Sequence, residues 1–408
     1  MVVISIVTNM ALAINGAYFD FLDEQVYITA ALQLVHGQSC NIVALPFTTL
    51  CNYEHPPLVK VLESVSYSAF GWALPASSAG QPLYQVAQAD PLSTAASFLA
   101  FRFFQMVTGA LSVVLVYIIA RSISKNERLA LLASALLLLD PLYAFFSRTA
   151  YLDVPMVFFA LCAYAAYFSA YRLGPLNEYW IAGIFLALSV LSKETGLAFL
   201  LPLIAYHLAF GQSALRARVK GAVTFVAADA LFAAAGLQLY DTLARTPFPA
   251  FVNQISYMAS FSNAIACGSQ CYANFVAGPW YSFLTSIYWM EGLSNNPVLL
   301  WLIFLWVPLG LWSLFKARRG RVTAENRLFV FAALLFGATF SANGLIYLGG
   351  RIVWIWYLLP VIPALSLGGG YLLSRQEIPS KIRAAILVLV VLGYIWAYLI
   401  GPKMILYD

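Results

Sequence analysis

Asp20, Asp23 and Glu24 stand in the aromatic run Tyr18-Phe-Asp-Phe-Leu-Asp-Glu-Gln-Val-Tyr27. A carboxylate within reach of a substrate hydroxyl can remove its proton. Acidic side chains at the C-terminal end of a helix also oppose its dipole, so a purely structural use for them is costly. The next charged group is Asn52-Tyr-Glu-His-Pro-Pro-Leu-Val-Lys60, where paired prolines fix an extended turn between Glu54-His55 and Lys60. Acids and cations spaced this way suit a phosphate headgroup. Asp140, Ser147-Arg148 and Asp153 form a third group, in which Arg148 is expected to pair with Asp140 or Asp153. Ser192-Lys193-Glu194-Thr195-Gly196 reads as a break between two half-length helices. Gly278-Pro279-Trp280-Tyr281, with Trp289 and Glu291, is an interfacial belt or a sugar platform. Arg351, followed by Trp354, Trp356 and Tyr357, is a phosphate holder or a snorkelling anchor.

The elements that position these groups follow from composition. The 408 residues are 62% hydrophobic and only 10% charged, and the mean hydropathy is +0.81. Soluble domains carry about a quarter charged residues. The chain therefore reads as an all-α polytopic membrane protein, in which helices satisfy their own backbone groups. About eleven apolar segments approach the roughly 20 residues that cross a bilayer. They cover 2–18, 98–120, 129–147, 152–171, 179–192, 195–211, 220–240, 297–315, 328–347, 352–373 and 383–402.

With the N-terminus cytoplasmic, most of the 22 Lys and Arg residues fall on the cytoplasmic side, among them Arg121, Lys125, Arg128, Arg216, Arg218, Lys220, Arg318, Arg319 and Arg375. The C-terminus is then outside. Two long outer loops remain, about 20–97 and about 241–296, and residues 1–408 read as one transmembrane domain. Leu58 to Phe70 is expected to form an amphipathic helix lying on the membrane. Residues 1–17 could instead pass for a signal peptide, but they lack a positive start. All the candidate chemistry gathers at the outer face, whereas a pump or pore would place ions along the midplane.

Cys40 and Cys51 lie in the first outer loop, and Cys267 and Cys271 in the second, so two local disulfides are the natural reading. The three histidines are scattered, and no metal-ligand run or nucleotide-binding signature is read. The modest net charge of +5 calls for no nucleic-acid partner.

On these motifs the chain resembles the dolichyl-phosphate-mannose–protein mannosyltransferase family, within the GT-C class of membrane glycosyltransferases. Asp23-Glu24 matches the Asp-Glu pair of the family's first outer loop, and His55-Pro56-Pro57-Leu58-Val59-Lys60 its His-Pro-Pro-Leu-x-Lys motif. Asp140, Ser147-Arg148 and Asp153 match its Asp, Ser-Arg, Asp series, and Lys193-Glu-Thr-Gly196 its Lys-x-Thr-Gly segment. Pro279-Trp280 and Tyr357-Leu-Leu-Pro360-x-x-Pro363 look like two later motifs, so the likeness runs from about residue 18 to 375. Val59 stands where the family usually has Gly.

The resemblance implies a GT-C-like fold and an inverting glycosyltransferase. It would move a sugar, mannose by family likeness, from a polyprenyl or dolichyl monophosphate to a hydroxyl, the Ser or Thr of a protein. It implies Asp23 as the base and Glu24 as a holder of donor, acceptor or loop. His55, Lys60, Arg148, Lys193 and Arg351 would face the donor phosphate, supported by Glu54, Asp140, Asp153 and Trp280. The implied partners are membrane lipid, the lipid-linked sugar and an acceptor protein or lipid. A divalent metal and a dimer are left open. A relative that modifies a lipid or glycan, a transporter or flippase, and a non-catalytic scaffold are the competing readings.

Overall fold

The computed structural model describes residues 22–36, 55–70, 91–169, 175–211, 214–244, 323–348, 355–376 and 378–399. The expected spans at 2–18 and 297–315 lie outside these residues, as do Glu54, Trp280, Arg351 and the cysteines at 40, 51, 267 and 271. Cys162, inside a helix, is a free thiol.

Every regular element among the described residues is helical. In chain order they are α1 (Leu22–Val35), α2 (Leu58–Ala69), α3 (Pro91–Ser124), α4 (Glu127–Leu138), α5 (Pro141–Phe146), α6 (Asp153–Ser169) and α7 (Pro175–Ser192). A 3-10 turn at Glu194–Phe199 leads into α8 (Leu200–Phe210), followed by α9 (Leu215–Ala244) and α10 (Ala324–Leu348). A second 3-10 turn at Ile355–Val361 leads into α11 (Ile362–Ser374), and α12 (Ser380–Leu399) follows. Among the described residues, four helical stretches are long and apolar enough to cross a bilayer: Ser97–Ser124, Leu215–Thr242, Ala324–Leu345 and Tyr357–Ser374. The apolar stretches Asp153–Phe168, Tyr179–Ser192 and Glu194–Phe210 are shorter.

The core is built where these helices cross. α6 packs against α3 and α7, α7 against α9, and α4 against α3 and α11. The α4–α11 crossing is close because α11 presents Gly370: a Cβ there would lie 2.7 Å from the backbone nitrogen of Ala133. Small residues let helix backbones approach in this way within membranes.

Two connections matter for the site. Lys125 takes a left-handed φ of 58°, and Asn126 then caps α4 by accepting from the Leu129 N–H at 3.2 Å. The chain reverses there in a few residues. The expected span at 129–147 is not continuous. Asp140 adopts an extended conformation and accepts from the Tyr143 N–H at 2.7 Å, while Pro141 takes the first turn of α5. A capping carboxylate followed by proline starts a new helix rather than prolonging the old one. This break sends Ser147 and Arg148 back toward the bundle.

α2 is amphipathic as expected, with its polarity turned inward. Val59, Lys60, Glu63, Ser64 and Tyr67 are buried, whereas Val65 is 60% and Phe70 48% exposed. Tyr67 stacks on Phe101 of α3 at 4.6 Å. The charged residues of α2 thus look into the protein together with Val59 and Tyr67, while Val65 and Phe70 look outward.

Candidate functional site

The charged groups collect at one end of the bundle. α6 starts there at Asp153, α7 ends there at Ser192, and the Glu194–Phe199 turn begins there. α1 and α2 close this end by packing against each other and, through α2, against α3.

Glu24, in the first turn of α1, is wholly buried. Arg102 of α3 clasps it with Nε to Oε1 at 2.7 Å and Nη2 to Oε2 at 2.8 Å. The Ala150 N–H also donates to Glu24 Oε1, at 2.7 Å. One carboxylate therefore fastens α1 both to α3 and to the 147–152 segment. Asp23 precedes it within the same helical turn, and its side chain lies outside the described residues.

The Pro56-Pro57 turn delivers His55 and Lys60 to the same end. His55 Nδ1 shares a 2.9 Å hydrogen bond with Glu194 Oε2, and its ring meets the edge of Tyr27 at 5.8 Å. Lys60 is 1% exposed, and its Nζ donates to the His55 carbonyl at 2.7 Å. This bond closes the turn on itself and holds a buried ammonium beside α1.

Lys193 leaves α7 in an extended conformation, with φ −157° and ψ 140°. Its Nζ donates to both oxygens of Asp153, at 2.8 and 2.9 Å, and lies 4.3 Å from the centre of the Tyr357 ring. Asp153 is thus paired with Lys193 and not with Arg148, the partner expected from the sequence. The reason is topological: α6 begins where α7 ends, so the two residues meet although 40 positions apart. Asp140 is occupied as the α5 cap. Arg148 is buried with its guanidinium 5.3 Å from the Phe145 ring centre.

The structure therefore brings together Glu24, His55, Lys60, Asp153 and Lys193, from segments far apart in sequence. Asp140 acts one helix away, by setting the direction of α5. Sequence reasoning missed three participants. Arg102 reads as one more charge near a membrane edge. Glu63 and Gln105, bonded to each other at 2.5 Å, belong to no motif. Arg102 and Gln105 are three residues apart on one buried face of α3. That spacing is the one sequence signal that could have raised them. Among the described residues no group of three or more His, Cys, Asp or Glu is arranged for a metal.

The chain shares sequence and fold features with known proteins. Residues 38–233 match the family model described as dolichyl-phosphate-mannose-protein mannosyltransferase. No curated protein sequence matches the chain. Among solved structures, ArnT from Cupriavidus metallidurans bound to undecaprenyl phosphate is similar, with a TM-score of 0.59 and 16% identity over 95% of this chain and 61% of that one. The archaeal oligosaccharyltransferase AglB from Archaeoglobus fulgidus, in complex with an inhibitory peptide and a dolichol-phosphate, has a TM-score of 0.54 and 16% identity over 99% of this chain and 56% of that one. The chain thus spans about three fifths of the length of these structures. At such identities the likeness is one of fold, and that fold is the polytopic helical fold of the GT-C class. The stretch that matches the dolichyl-phosphate-mannose-protein mannosyltransferase model, residues 38–233, carries most of the charged end of the bundle.

Proposed function

We propose that the protein is an inverting glycosyltransferase that takes a sugar from a polyprenyl or dolichyl monophosphate on the extracytoplasmic side of the membrane. The observation that carries this reading is the convergence of a buried ammonium, Lys60, with the first turn of α1, which bears Asp23 and Glu24, at one end of an apolar bundle.

Cleaving a glycosyl–phosphate bond builds negative charge on the leaving phosphate and positive character on the sugar. Fixed cations in a water-poor site stabilise that phosphate as it leaves. Lys60, Arg148 and Arg351 are proposed for this part. Asp23 is proposed to take the proton from the acceptor hydroxyl. A single base with no covalent intermediate gives inversion at the anomeric carbon, by analogy with inverting glycosidases. Glu24, spent on Arg102 and Ala150, holds α1 in place. His55 with Glu194, and Lys193 with Asp153, build the wall of the site. The donor supplies its own activated sugar and leaving group, so the reaction as proposed is routed through no other cofactor.

The match of residues 38–233 to the mannosyltransferase family model supports mannose as the sugar and a protein Ser or Thr as the acceptor. The structural likeness to ArnT and AglB leaves a lipid or another protein side chain as the second reading. The deciding assay incubates purified protein with labelled dolichyl-phosphate sugars, with and without acceptor peptide, and weighs the products. Transfer to peptide supports the first reading, and transfer to lipid alone the second. Asp23→Asn is expected to express normally and to lose transfer. Undiminished turnover in that variant removes Asp23 from the role of base.

A further inference from the structure

A second buried carboxylate stands beside the site. Glu63 lies one turn beyond Lys60 on α2, and both it and Gln105 on α3 are completely shielded from solvent. Gln105 Nε2 donates to Glu63 Oε1 at 2.5 Å. The two remaining polar atoms of the pair, Glu63 Oε2 and Gln105 Oε1, are both without a hydrogen-bond partner among the described residues. With Glu63 ionised, both atoms are acceptors, and two buried acceptors left unsatisfied are costly. One proton changes this. A protonated Oε2 is a donor, and a carboxylic acid and an amide already joined by one N–H···O bond can close a second from that O–H to the amide oxygen. A single proton on Oε2 would then satisfy both orphaned atoms in a ring of two hydrogen bonds.

We propose that Glu63 is a neutral carboxylic acid locked to Gln105, and that its neutrality leaves the Lys60 ammonium its full charge for the phosphate of the lipid donor. Glu63 is therefore a positioning residue that acts through Lys60. The first half of the proposal stands on geometry alone, and the second rests on the transferase reading. Burial pushes the Glu63 carboxyl well above the ordinary carboxylate range; the Gln105 bond opposes this, Glu24 adds to it and Lys60 opposes it. Glu24 from α1 and Lys60 from its own helix are the charged groups acting on it, and Gln105 is the polar group from α3. An ionised Glu63 at three residues' spacing would lie on the same helix face as Lys60 and cancel its charge.

Infrared difference spectra between wild type and E63Q, in lipid bilayers at neutral pH, test the first half. The wild type is expected to show the carbonyl stretch of a protonated carboxylic acid, shifted in D2O and absent from E63Q. The exchanged pair E63Q/Q105E is expected to restore it. Carboxylate bands in its place overturn the proposal, whether or not the protein transfers sugar. The second half is read from the donor KM against pH. Ionisation of Glu63 at alkaline pH is expected to raise the wild-type KM about tenfold, while E63Q lacks that rise. Equal alkaline rises in both proteins would refute the link to Lys60. If no transfer is found with any donor, the functional reading fails and the infrared result still decides the protonation.

Discussion

Replacing Arg102 by Met should damage the protein more than replacing Arg102 and Glu24 together. In the wild type two charge-assisted hydrogen bonds of 2.7 and 2.8 Å join the pair, both side chains being buried. Each such bond contributes about 1.5–3 kcal/mol. Removing the guanidinium leaves Glu24 ionised in the interior with the Ala150 N–H as its remaining bond. Stranding one member of a buried ion pair costs about 3–5 kcal/mol. The double variant E24Q/R102M removes both charges, and a neutral replacement of similar volume is often close to neutral in stability. A cycle of R102M, E24Q and the double variant should then show a coupling of about 2–3 kcal/mol. Thermal or denaturant unfolding in detergent, followed by intrinsic fluorescence, measures it. Sugar transfer should be lost in R102M and stay low in the double variant, because α1 has lost its tether in both. An R102M protein as stable as wild type, or a cycle with no coupling, would refute the assignment of this pair as the fastening of α1.

Three further outcomes are expected. Gly370→Ala drives a methyl into the backbone of Ala133 at 2.7 Å, so the α4–α11 crossing must open; a loss of about 1–3 kcal/mol in unfolding experiments is expected. Asp140→Ala removes the carboxylate that caps α5; about 1 kcal/mol of stability should go, and transfer should fall further than stability because α5 aims Arg148. The third outcome concerns pH. Burial holds the Glu63 carboxyl well above the ordinary carboxylate range in the folded protein. The folded state then binds a proton that the unfolded state has lost, so this group's contribution declines as pH rises from the ordinary value through the folded one. Melting midpoints of E63Q should therefore gain on those of wild type as pH rises above about 5, and parallel curves would refute this.

Much of the framework was legible because hydropathy is local. The apolar runs, the helix at Leu58–Ala69 and the break before Glu194 can all be read from short windows. The interruption at Asp140 was hidden by its apolar surroundings, although Asp followed by Pro is a helix-starting signal. Pairings were the least legible. Glu24 meets Arg102 across 78 positions and Lys193 meets Asp153 across 40. No periodicity spans such gaps. The direction of α2 was also beyond local pattern. Its moment announces two faces, but only the surrounding bundle decides that the charged one turns inward.

The unequal lengths of the helices bear on depth in the membrane. α6 has 17 residues and α7 has 18, or about 26 Å each at 1.5 Å per residue, while α3 has 34. A hydrocarbon layer is about 30 Å thick. Asp153 and Lys193, at the ends of these shorter helices, are shielded by the surrounding protein, so the ion pair lies at membrane depth without facing oil. A donor lipid of the proposed kind would then meet its ionic contacts near its own depth in the leaflet, with no need to be lifted clear of the bilayer.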